Sequence, residues 1–260
     1  MLFHGFSDSA DCWRPLLREL AQTGRGAVAL DMPGFGEASR LEREKPVLPQ
    51  LDAFAAAAIE REAQRSPAGE VVVSGNSLGG CVALRAAQRP GLPIAGAVPI
   101  APAGLTMARW LSIIEGEALL RWLLRAPVPV PEVVVRQVVG RLYRTLAFAR
   151  PREVDDAAVS SFTSHIRSKR DAVRILGTGH RVIEELRDPF ELERVGCPVL
   201  LVWGDQDRMV FATGAERVLR DVAGSRIEVI ERCGHCPQVE APGRLAELLL
   251  DFPASLAEAA

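Results

Sequence analysis

The sequence predicts an α/β fold: a mostly parallel, doubly wound sheet that carries an inserted all-helical segment. Three observations carry that prediction. Short apolar runs bounded by turn residues alternate with helical periodicity over residues 1–104, and do so again over 188–260. Alternation of this kind lays strands in parallel with helices on both faces. Between 105 and 187 the rhythm breaks and only helical periodicity remains. The chain is therefore expected to divide into a first core part (1–104), a helical cap (105–187) and a second core part (188–260).

Each element has its own signal. Leu2 and Phe3 end an apolar strand that runs into His4-Gly5-Phe6. Trp13, Leu16, Leu17 and Leu20 recur at helical spacing within 8–20. Residues 26–30 form a short buried strand that closes on the turn-rich Asp31-Met32-Pro33-Gly34-Phe35-Gly36, and 37–50 read as a charged surface loop. Leu51, Phe54, Ala55, Ala58 and Ile59 line one face of a helix. Val71-Val72-Val73 is a buried strand, followed by a sharp turn and a helix over 78–89, then a strand over 94–100. In the insertion, Trp110, Ile113, Ile114, Leu120, Leu123 and Leu124 suggest one helix, and the prolines of 126–131 a stiff linker. Val134, Val135, Val138 and Leu142 mark a second helix. Two more follow over 154–166 and 171–186, the last interrupted at Gly177-Thr178-Gly179. A strand over 197–204, a helix over 212–222, a strand over 226–230 and a closing helix over 244–252 complete the pattern.

Composition narrows the function classes. The chain of 260 residues is 48% hydrophobic and 25% charged, ordinary for a soluble globular protein with one substantial core. A net charge of −2 gives no general attraction to nucleic acid, so a small molecule is the expected partner. No apolar run reaches membrane-spanning length, and no basic-then-apolar leader is visible. Five cysteines are few and odd in number, which fits a reducing cytoplasm better than a disulfide framework. The insertion carries 14 Arg and Lys against 9 Asp and Glu. Solvated helix faces account for this surplus, and attraction of acidic substrates or anionic lipid is the functional alternative.

One stretch carries chemistry. Gly75-Asn76-Ser77-Leu78-Gly79 lies between a strand and a helix, the context in which G-x-S-x-G presents a nucleophilic serine. Such a turn forces Ser77 into a strained backbone conformation, and a Cβ at Gly75 or Gly79 would collide where strand and helix cross. A serine hydroxyl also needs an imidazole base, and a carboxylate to fix that imidazole's tautomer. Of His4, His165, His180 and His235, the last follows a strand in a loop that can reach across the sheet's carboxyl edge. Asp205 and Asp207 both follow the strand ending at Trp203-Gly204. The order Ser77, Asp207, His235 is one of the known triad orders. Cys233-Gly234-His235-Cys236 copies a disulfide-isomerase redox sequence. It lacks the expected thioredoxin-type context, and binding a metal at His235 would remove the base.

At these residues the chain resembles the α/β-hydrolase superfamily over nearly its whole length. His4-Gly5, Asp31-x-Pro33-Gly34-x-Gly36, the elbow Gly75–Gly79, Gly204-x-x-Asp207 and Gly234-His235-x-Pro237-x-x-Glu240 follow that family's motifs in order. The resemblance favours Asp207 over Asp205 as the acid, with Asp205 a loop cap. It implies a cofactor-free, metal-free serine hydrolase, esterase- or lipase-like, that works through an acyl-enzyme. It places the oxyanion hole at the backbone N–H groups of Phe6 and Leu78, and makes His4 a brace for that loop. It makes the helical segment a cap over an apolar acyl pocket, with Trp110, Ile113, Ile114 and Trp122 as candidate lining residues. Family members usually carry one or two strands before the His-Gly motif, so the first strands of the sheet are expected to be missing. Carbon–carbon bond hydrolysis of ring-cleavage products is the alternative activity, weakened by Cys236-Pro237 where an aromatic residue is usual. Epoxide or haloalkane chemistry would need Asp in place of Ser77. A binding or receptor module that has kept the triad is the alternative from a different class.

Overall fold

A computed structural model describes residues 1–106, 131–164, 166 and 168–257. Its sheet has six strands, β1 (Leu2–Phe3), β2 (Ala29–Leu30), β3 (Val71–Asn76), β4 (Ile94–Ile100), β5 (Leu200–Gly204) and β6 (Arg226–Ile230), in the order β2-β1-β3-β4-β5-β6. All pairings are parallel. Alternate side chains of one strand enter two different cores: Leu201 and Trp203 on one face of the sheet, Leu200 and Val202 on the other. The first core is covered by α2 (Val47–Ala63), α3 (Leu78–Ala86) and α7 (Ala215–Asp221). The second is covered by α1 (Arg14–Gln22) and α9 (Pro242–Ala257), through Trp13, Leu16, Leu245 and Phe252. The doubly wound sheet expected from the sequence is present.

Between β4 and β5 the described chain forms α4 (Glu132–Ala147), α5 (Asp156–Thr163) and α6 (Lys169–Glu185), before a short α8 (Pro237–Glu240) after β6. One expectation is corrected here: α6 runs through Gly177-Thr178-Gly179 without a break. Each interior glycine costs a helix about 1 kcal/mol. The apolar face of Ala172, Ile175 and Val182, with Gly179 buried beside it, offsets that cost, and Ser168 caps the start by accepting from the Asp171 N–H.

Helix α2 starts four residues before the periodic run from Leu51 that predicts it, and the reason is tertiary. Its N-cap side chain is Pro46, which offers no acceptor. The Glu185 carboxylate at the end of α6 accepts instead from the N–H groups of Val47 and Leu48, both at 2.7 Å. An anion at a helix N-terminus is favourable, so this contact ties the insertion to the core. Among the described residues no helix is long and apolar enough to cross a membrane.

Candidate active site

The elbow is built from two close backbone crossings. A Cβ placed on Gly75 would lie 2.3 Å from the Gly79 carbonyl oxygen, and one on Gly79 would lie 2.1 Å from the Phe3 carbonyl oxygen. Only glycine lets α3 start this close to β3 and β1. The turn puts Ser77 at φ 56° and ψ −114°, a conformation rare for a residue with a side chain. Hydrogen bonds hold it there: the Ser77 N–H donates to Ile100 O at 2.9 Å, and Ser77 O accepts from Cys81 and Ala103. Leu78 is the first residue of α3, so its N–H has no acceptor within that helix.

Asp207 is fixed by the loop after β5. Its Oδ1 accepts from the N–H groups of Met209 (2.8 Å) and Val210 (3.0 Å), which leaves Oδ2 to accept from His235 Nδ1 at 2.7 Å. Both side chains are buried, at 1% and 3% exposure, so the contact is dry. It places the proton on Nδ1 and makes Nε2 an acceptor. Among the described residues His235 Nε2 is buried without a hydrogen-bond partner, and it lines the same cavity as Ser77. Asp205 accepts from the Cys233 N–H at 3.1 Å, the loop-capping part expected of it.

The histidine loop is clamped from several sides. The His235 N–H donates to Ala147 O (2.7 Å), and Asn76 Nδ2 donates to His235 O (2.8 Å). Glu240 accepts from the N–H groups of Gly234 (2.6 Å) and Ala149 (2.9 Å), joining this loop to the end of α4. His4 is a brace: fully buried, its Nε2 accepts from the Met32 N–H at 2.9 Å while Nδ1 donates to Gly5 O at 2.8 Å. Asp31 completes the same junction by accepting from Ala10 and Glu37. Burial pushes the Cys233 and Cys236 thiols above their ordinary range, away from the thiolate that redox exchange needs.

The cavity is walled on one side by Gly5, Phe6, Ser77 and His235, and on the other by Val139, Leu142 and Leu146 of α4, Phe162 of α5, and Ile175 and Leu176 of α6. Of the wall residues named from the sequence, Trp110, Ile113, Ile114 and Trp122 lie outside the described residues. Of the α4 wall, Leu142 belongs to the run Val134, Val135, Val138 and Leu142 that predicts this helix, and Val139 and Leu146 do not.

Two polar wall residues carry no such signal. Asp8 and Tyr143 both line the cavity. Burial is the main cause that pushes the Asp8 carboxyl up to about 7. As pH rises from about 4 to 7, the unfolded chain loses this proton while the native one keeps it, so the native state loses stability through that window. The loss amounts to on the order of 4 kcal/mol for a shift of this size. Asp8→Asn is expected to remove that dependence: urea unfolding should show the variant gaining on the wild type between pH 4 and pH 8. Parallel pH profiles for the two proteins would contradict it.

The sequence model described as "Alpha/beta hydrolase family" matches residues 1–248. The chain belongs to the alpha/beta hydrolase family. The chain is 27% identical to the monoacylglycerol lipase abhd6-A of Xenopus laevis, over 98% of its own length and 75% of that protein's. It is 30% identical to the epoxide hydrolase EphH of Mycobacterium tuberculosis, over 69% of its length and 84% of that protein's. Among solved structures, a bacterial membrane phospholipase A superposes with a TM-score of 0.71 at 26% identity, covering 98% of this chain and 78% of that one. A serine hydrolase of carbazole degradation, CarC, superposes at 0.74 with 22% identity, covering 97% and 89%, a likeness of fold. The protein is thus an alpha/beta hydrolase whose relatives include a monoacylglycerol lipase, an epoxide hydrolase and a phospholipase A.

Proposed function

We propose that this hydrolase cleaves carboxylic esters of apolar acyl groups through an acyl-enzyme on Ser77. The observation that carries the reading is the buried Asp207–His235 hydrogen bond, with His235 Nε2 unpartnered among the described residues and Ser77 on the same cavity. His235 takes the Ser77 proton as the hydroxyl oxygen attacks the ester carbonyl, and Asp207 stabilises the imidazolium. The N–H groups of Phe6 and Leu78 bind the oxyanion. His235 then protonates the leaving alcohol, and a water it deprotonates releases the acid. Residues 105–187 act as the cap and supply the apolar wall. The epoxide chemistry of EphH does not carry over, because the elbow holds Ser77 where that chemistry needs a carboxylate. We place the reaction in the cytoplasm, where the five free thiols would stay reduced.

Hydrolysis of p-nitrophenyl esters of increasing chain length tests the proposal, with Ser77→Ala as the blank. Short to medium apolar acyl groups are expected to be cleaved best. Turnover of a vinylogous diketone acid with no ester cleaved would establish carbon–carbon hydrolysis instead, and binding without turnover of either would establish a receptor.

A further inference from the structure

The apolar cavity has one polar pole that the triad does not use. Asp8 is 3% exposed and follows Phe6 by two residues on the loop that walls the site. Its Oδ1 accepts from the Ser9 N–H at 2.8 Å. Its Oδ2 faces weaker partners: the Tyr143 hydroxyl stands at 3.5 Å, and the Cys12 thiol is the other donor beside the carboxyl. A hydroxyl-to-oxygen bond of ordinary strength is about 2.5–3.0 Å long, so the Asp8–Tyr143 gap is a loose contact. Tyr143 is held where it is. Its ring stacks on Phe162 with centroids 3.6 Å apart and meets Phe148 edge-on. Its hydroxyl also lies 3.4 Å from the sulfur of Cys236, the residue next to the candidate base. The fold thus fixes a carboxyl and a phenol side by side on the wall of an apolar cavity, each with only weak partners toward the other.

We propose that Asp8 and Tyr143 read a free hydroxyl group of the substrate, which makes the preferred ester a partial ester of a polyol. A hydroxyl between them accepts from the Oδ2–H of the neutral Asp8 carboxyl and donates to the Tyr143 oxygen, replacing one long contact by two short ones. Both residues line the cavity that Ser77 and His235 also line, which suits a hydroxyl on the carbon next to the ester oxygen, as in an acylated vicinal diol. A quaternary ammonium fits this pole less well. The groups facing Asp8 are the Ser9 N–H, the Cys12 thiol, the Tyr143 phenol and, through space, the Asp31 carboxylate. None neutralises an ionised Asp8, and burial favours its neutral form, which bonds a hydroxyl but does not pair with a cation. This inference rests on the proposed ester chemistry at Ser77.

The test compares kcat/KM for monooctanoylglycerol and methyl octanoate in one preparation, so that the fraction of folded enzyme cancels in the ratio. The wild type is expected to favour the glyceride at least about tenfold, mostly through KM. Tyr143→Phe, which keeps the ring stack, and Asp8→Leu should each bring the ratio close to one. A ratio unchanged in both variants overturns the proposal. So does a preference for octanoylcholine that Asp8→Leu abolishes and Tyr143→Phe leaves intact. If the wild type cleaves none of these esters, the ester-hydrolase reading fails, and calorimetric binding to the Ser77→Ala protein still decides the pole. There, tighter binding of the glyceride that is lost in the Asp8→Leu double variant supports it, and equal affinity for both compounds overturns it.

Discussion

Replacing Ser77 by glycine is expected to abolish ester hydrolysis and to stabilise the protein. Ser77 sits at φ 56° and ψ −114°, where a side chain costs about 1–3 kcal/mol of backbone strain. Glycine adopts that conformation freely, and its extra freedom in the unfolded chain costs back only about 0.5–1 kcal/mol. No cap is lost, because the Ser77 side chain makes no capping bond to α3. A net gain of about 1 kcal/mol follows. Activity should fall by about 10⁴- to 10⁶-fold, the range seen when a triad nucleophile is removed. Ser77→Ala should lose activity to the same extent without the gain, since alanine keeps a Cβ at the strained position. Urea midpoints and ester turnover for both variants check this. A glycine variant less stable than the alanine one would show that the elbow does not store strain at Ser77.

Asp207→Asn is expected to cost about 10⁴-fold in kcat with little change in KM or stability. The amide oxygen can still accept from the Met209 and Val210 N–H groups, so the loop stays in place. The amide nitrogen then faces His235 Nδ1, where the carboxylate accepted at 2.7 Å. That reverses the hydrogen bond and puts the imidazole proton on Nε2, so His235 can no longer accept from Ser77. Turnover within tenfold of the wild type would mean that Asp207 is not the group that orients the base.

Much of this arrangement is legible in the sequence because it is local. The elbow glycines, the valine strand and the turn after Trp203 follow from steric rules that act over a few residues. The pairing of Asp207 with His235 is legible only through chain order and family motifs, since nothing local brings residues 28 apart into contact. Contacts that span the fold stay hidden. The cap that Glu185 places on α2 comes from a residue 138 positions away, so helical periodicity from Leu51 onward misses the first turn. An unbroken α6 depends on burial of one face, which overrides glycine propensity. Asp8 escapes notice because a lone aspartate in a loop has the look of a solvated turn residue, and only the fold shows it buried on the cavity wall beside Tyr143.

The most direct measurement is peptide mapping of the folded wild-type protein after reaction with a fluorophosphonate. A single stoichiometric adduct on Ser77 is expected, formed far more slowly in Asp207→Asn. An unmodified Ser77 in folded protein, or an adduct on another residue, would contradict it.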